Sequence, residues 1–127
     1  MQNQFIGTVV HGLGKGKELG FPTINIKLID NILDIDTGVY ATKVNIHNHS
    51  YNGMLYVGTR PTFNLSEITV EIHIFDFNGN LYDSQIHFQI LQKIRNEIRF
   101  ENVDQLMKQL YHDKEMVYKY FQNSEVS

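Results

Sequence analysis

The chain has 127 residues, the size of one domain with its own hydrophobic core, which leaves no room for two full catalytic domains. Hydrophobic residues make up 42% and charged residues 20% of the sequence, so neither a disordered nor a fibrous chain fits. Eleven basic against fourteen acidic residues give a net charge of -3, no excess to hold a polyanion, and the lack of cysteine excludes disulfides, thiolate metal sites and cysteine nucleophiles.

The opening segment, Met1 to Thr8, has no basic region ahead of its short apolar run. Nowhere do apolar residues reach the roughly 18 in succession that a membrane span needs. The expectation is a cytoplasmic protein with neither membrane nor nucleic acid as partner. From Phe5 to about Phe88, six short runs with alternating or β-branched character follow one another: FIGTVVH, FPTINIKL, GVYATKVNIH, GMLYVGT, ITVEIHIFDF and SQIHFQIL. Turn-forming residues separate them, and Asn48 to Asn52 and Asn78 to Asn80 predict antiparallel hairpins between consecutive strands. Past Arg99 the period changes. Val103, Leu106, Leu110, Val117 and Phe121 recur at helical spacing, with Asn102 and Gln105 placed to cap the helix and a frayed tail from Asn123 to Ser127. Six strands and one terminal helix predict a mainly β domain over residues 1–127, closed or nearly closed into a small antiparallel barrel because closure removes exposed edges.

The least ordinary segment is HGLGKGKELGFPTIN, His11 to Asn25. Gly12, Gly14 and Gly16 alternate and are interleaved with Lys15 and Lys17, which suits a backbone that approaches phosphate oxygens, or simply a glycine-rich connection. It is neither a Walker loop nor a dinucleotide fingerprint, since Leu19 stands where the latter needs a third glycine. Pro22 then fixes the backbone ahead of Thr23 and Asn25, which alternate onto one side of a strand. Their hydroxyl and amide oxygens suit Mg²⁺ carrying a nucleotide; a solvated face is the plainer reading.

On the fifth run Val70, Ile72 and Ile74 form an apolar row, and Thr69, Glu71 and His73 point the other way. Glu71 is a carboxylate in mid-strand between apolar neighbours, a general base or a surface residue. The six histidines lack metal-ligand spacing, and no Gly-x-Ser-x-Gly elbow supports serine hydrolysis. Arg60 beside Pro61 predicts either an ordinary turn or a loop over a ligand. Arg95 and Arg99 fall between the last strand and the helix, on a flap or in surface ion pairs.

Five ordered blocks then carry a resemblance: HGLGKGKELGFPTINI near the start, DTGVYAT at Asp36 to Thr42, GTRPTF at Gly58 to Phe63, VEIHIFDFNGNLY at Val70 to Tyr82, and IRNEIRFENVDQL at Ile94 to Leu106. The chain resembles the riboflavin kinase family, including the kinase half of bacterial bifunctional FAD synthetases. The resemblance implies a six-stranded Greek-key barrel with a C-terminal helix packed on it. It also implies an enzyme that uses ATP and Mg²⁺ to phosphorylate the 5′-hydroxyl of the ribityl chain of riboflavin, giving FMN. Carried over by residue, His11, Gly12, Leu13, Gly14, Lys15, Gly16 and Lys17 would surround the nucleotide, Thr23 and Asn25 would serve nucleotide and metal, and Glu71 would be the base. Arg95 and Glu97 would meet the flavin. Lys17 stands where the family often has Arg, and Asp83 where Gly is common. The histidine-rich motif of the adenylyltransferase domain is absent, so the chemistry should stop at FMN, with an N-terminal FAD synthetase domain as a partner if this is part of a longer protein. A non-catalytic flavin- or nucleotide-binding barrel is the alternative.

Overall fold

The computed structural model describes residues 4–11, 20–29, 35–62 and 65–126. Among these residues six strands form where the alternating runs were expected: β1 (Gln4–Val10), β2 (Ile24–Leu28), β3 (Gly38–Ile46), β4 (His49–Thr62), β5 (Leu65–Ile74) and β6 (Gln85–Asn96), followed by the helix α1 (Val103–Val126). They close into a barrel in the order β1-β2-β5-β4-β3-β6, every neighbouring pair antiparallel.

Two expected reversals come out differently. Between β3 and β4 the turn is only His47 and Asn48, both with positive φ (50° and 68°), and Ser50 to Asn52 already belong to β4. Two residues in that conformation match the twist of the paired strands, which makes this the tightest hairpin available. The Asn78 to Asn80 segment makes no hairpin at all. β5 lies between β2 and β4, and β6 between β3 and β1, so the connection crosses the barrel as a Greek-key link. Its end is tied to β1 rather than to β5, through hydrogen bonds from Val9 N to Ser84 O and from Asp83 N to Val9 O, both 2.9 Å. Asp83 adopts φ 68°, so the position where Gly is common in the resembling family still takes the left-handed conformation, which a short polar side chain tolerates. The Arg60–Pro61 segment is not a turn either: β4 continues through it, with Arg60 opposite Glu67 and Pro61 opposite Ser66.

Inside the barrel, Val9, Val44, Leu55, Val57, Ile72 and Ile86 are buried in one cluster, which Leu81 from the crossing link joins. Leu55→Ala should cost about 2–5 kcal/mol by leaving a cavity that packed neighbours cannot collapse; urea denaturation measures it. A second cluster lies between the outer face of the barrel and α1, joining Phe21, Val39, Ala41, Met54 and Phe75 to Val117 and Phe121. The helix is capped as its sequence predicts, with Gln105 N donating to Asn102 Oδ1 at 2.9 Å. Its first turn is exposed, so Val103 lies outside the buried stripe, and its last turns remain helical to Val126 where fraying was expected from Asn123. Asp113, fully buried, takes a place in that stripe.

Gly38 opens β3 at φ 151°, and a Cβ there would collide with the carbonyl oxygen of Arg95, so glycine alone fits where β3 passes this part of β6.

Candidate functional site

A single rung of the barrel gathers most of the sequence's chemistry. In register, Asn25 of β2 faces Glu71 of β5, Glu71 faces Tyr56 of β4, Tyr56 faces Val39 of β3, and Val39 faces Arg95 of β6. Because Ile26, Val70, Ile72 and Val57 of these strands point into the barrel core, alternation turns Asn25, Glu71 and Tyr56 to the outer face, the side on which α1 packs. Thr23, just ahead of β2, joins them: its Oγ1 donates to Glu71 Oε1 at 3.1 Å. The hydroxyl thereby points its hydrogen at the carboxylate and keeps its lone pairs for another partner.

Three oxygen-bearing side chains on one patch, all half-buried, can do two things. A carboxylate can take a proton from a bound hydroxyl, and neutral hydroxyl and amide oxygens can complete the shell of a hard cation. Among the described residues no group of three or more His, Cys, Asp or Glu could hold a metal by itself. That donor set fits Mg²⁺ better than a caged metal, because Mg²⁺ keeps several waters and takes substrate phosphates as ligands.

Tyr56 was not singled out by its sequence, and only the β4–β5 register reveals it. Its ring lies along the strand over Gly58, where an added Cβ would come within 2.6 Å of Tyr56 Cε1. Burial pushes the phenol above its ordinary pKa, Glu97 and Glu71 push the same way, and Arg95 opposes them. The phenol therefore stays protonated at neutral pH.

Arg95 does not sit on a flap between strand and helix but within β6. Its guanidinium clasps Asp113 of α1, with Nε at 2.9 and 3.0 Å from the two carboxylate oxygens and Nη2 at 2.8 Å. Gln109 donates a further 2.8 Å hydrogen bond to the same carboxylate, and Arg95 Nη1 donates to Asn96 O. The pair is largely out of solvent, the Arg95 side chain 11% and the Asp113 side chain 1% exposed. It pins α1 to the barrel at the end of the rung. Glu97 follows β6 directly and is exposed. Asp113 escaped the sequence reading because a carboxylate in an apolar stripe looks like a misfit; its spacing from Leu110 and Val117 was the available signal.

Of the expected nucleotide-binding residues, His11 is exposed and stacked on Tyr82, ring centroids 3.8 Å apart and planes 22° off parallel. Gly12, Leu13, Gly14, Lys15, Gly16 and Lys17 lie outside the described residues. A broad bowl of about 860 Å³ opens on the outer face of β1, β6 and β3, lined by Gln4, Lys43, Asn45, His47 and His87 among others. Among the described residues it is lined by no carboxylate and by none of the rung's polar residues.

The sequence profile of the riboflavin kinase (flavokinase) family matches residues 2–121. A bifunctional riboflavin kinase/FMN adenylyltransferase of Bacillus subtilis is 35% identical over 120 residues, covering 92% of this chain and 38% of the relative. The protein of the same description from Haemophilus influenzae is 39% identical over 119 residues, with 93% and 38% covered. Among solved structures, one described as a macrolide-efflux protein from Streptococcus pneumoniae has a TM-score of 0.85 at 37% identity, covering 91% of this chain and 38% of that one. Riboflavin kinase from Trypanosoma brucei has a TM-score of 0.64 at 22% identity, a likeness of fold that covers 95% of this chain and 82% of that one. The chain thus spans 38% of the length of the two bacterial relatives. Among the described residues no helix is long and apolar enough to cross a membrane. With the match running almost from end to end and the same kind of barrel beneath it, the chain belongs to the riboflavin kinase family.

Proposed function

We propose that this chain transfers the terminal phosphoryl group of ATP to the ribityl 5′-hydroxyl of riboflavin, giving FMN. The observation that carries the reading is the convergence of Thr23, Asn25 and Glu71: a 3.1 Å hydrogen bond joins the first and last, and strand register sets the second opposite the third. Phosphoryl transfer asks the protein mainly to align two oxygens and to offset charge, so a site of few side chains is sufficient. Glu71 orients the ribityl hydroxyl and accepts its proton as the new P–O bond forms. Thr23 and Asn25 hold the Mg²⁺ that comes with ATP, which when bound offsets the negative charge of the phosphates. Residues 11–17 cradle the nucleotide in this reading. Glu97 meets the flavin, and Arg95 acts on that side through Asp113, by fixing the strand end from which Glu97 departs.

The reading takes residues 1–127 as one kinase domain. Its partners are riboflavin and ATP, and in a longer protein an adenylyltransferase domain of the kind named in the bacterial relatives. Chromatography that separates riboflavin, FMN and FAD tests it: FMN should appear only with ATP and a divalent cation. Flavin bound without product would favour the non-catalytic barrel instead. Thr23→Ala or Asn25→Ala should lower kcat/KM for Mg-ATP about tenfold, the worth of one lost ligand or hydrogen bond, while riboflavin binding holds. Steady-state kinetics with each substrate varied in turn reads the split.

A further inference from the structure

The geometry points to His73 as a positioning residue for this site: its imidazole holds the Pro22 carbonyl and so sets the Thr23 hydroxyl on Glu71. The inference rests on the role given to Thr23 in the proposed kinase reading. The β2–β5 ladder stops at Ile24 opposite Ile72, and Thr23 lies one residue beyond it. Had the ladder continued, Thr23 would face His73 with backbone bonds to hold it. In their place, His73 Nδ1 lies 2.8 Å from Pro22 O, a side-chain tether one residue before the hydroxyl that matters. Phe21 anchors this end of the segment by packing, and Pro22, with no N–H of its own and a fixed φ, has its carbonyl as the backbone group that can be hydrogen-bonded there.

The ring is well placed for the task. His73 is 8% exposed, with Phe21 and Phe75 at centroid distances of 5.2 and 5.6 Å and Met54 opposite it on β4. From the helix, Lys114 Nζ lies over both phenylalanine rings. Burial lowers the imidazole pKa, the Pro22 hydrogen bond opposes this and Lys114 adds to it, so the ring is neutral at physiological pH. A neutral imidazole carries one N–H, and a carbonyl oxygen can only accept, so the proton sits on Nδ1. The tautomer is fixed by the contact it makes. His73 touches no reacting atom in this scheme; it acts through two residues of backbone.

The test compares three variants of the full chain. His73→Leu keeps bulk and removes the donor, His73→Asn places an amide near the Nδ1 position, and His73→Gln places one nearer Nε2. The expected pattern is a loss of about tenfold in kcat/KM for Mg-ATP in His73→Leu, an unchanged KM for riboflavin, and recovery to within about threefold in His73→Asn but not in His73→Gln. Cooperative thermal melting establishes that each variant folds. Equal activity in His73→Leu and the parent would overturn the inference. So would a loss shared equally by both substrates that Asn does not repair, the mark of a merely structural ring. Should His73→Leu not fold, equal activity in the Asn and Gln variants overturns it in the same way. If the parent chain makes no FMN, the kinase reading fails and the tether is judged without substrate. The Thr23 methyl and amide resonances should then move in His73→Leu or His73→Gln and return in His73→Asn; resonances that stay put in all three overturn it.

Discussion

Glu71→Gln should fold as the parent chain does and lose turnover by about a hundredfold to ten-thousandfold, the usual worth of a placed general base. The substitution is nearly isosteric, and the amide oxygen of Gln can still accept the hydrogen bond that Thr23 gives at 3.1 Å. Neither the barrel core nor the rung's register depends on the charge, since Val70 and Ile72 on either side of Glu71 do the packing. What disappears is a lone pair basic enough to take the ribityl proton. FMN formation at saturating riboflavin and Mg-ATP, with thermal melting as the control, measures the effect. A variant that keeps a third or more of parental kcat would remove Glu71 from the role of base and leave it as a binding residue.

The largest effect on stability should come from Asp113→Ala, at about 3–5 kcal/mol. The buried pair with Arg95 is itself weak support for stability, because both charges gave up water to form it. Removing one partner is costly, because the Arg95 guanidinium then stays against the barrel with its hydrogen bonds to carboxylate gone and, among the described residues, Asn96 O alone still accepting. Gln109 loses its acceptor too. Equilibrium urea denaturation reads the cost, and a change under about 1 kcal/mol would mean that the guanidinium finds water or another acceptor without loss. The same substitution should loosen α1 where it meets the rung, beside Tyr56 and Glu97, so a rise in KM for riboflavin should accompany the lost stability.

Much of the fold was legible because alternation is a local signal. Val70, Ile72 and Ile74 had to share a face whatever lay next to β5, and Thr23, Asn25 and Glu71 could be named from residue type, spacing and family resemblance. Strand partnership is a different kind of information. Asn78 to Asn80 have the composition of a reversal, yet the link that holds them is tied by hydrogen bonds to Val9, far off in sequence, and β6 pairs with β1 and β3 rather than with β5. Tyr56 reaches the site by the same non-local route, through a register that nothing near position 56 encodes. Arg95 is the opposite case. Its residue type drew attention, but the partner that explains it is 18 positions away, inside what looked like a plain amphipathic stripe.

β2 spans five residues, the shortest stave of the barrel, yet it sits at the seam between β1 and β5 and carries Asn25, with Thr23 at its threshold. The part of the molecule assigned to gripping a metal and a nucleotide is therefore also the one with the least backbone to anchor it, and local opening begins where anchoring is poorest. Cargo lodged there would act as a cross-brace, so that occupancy and rigidity rise together in the stretch that needs them only during turnover.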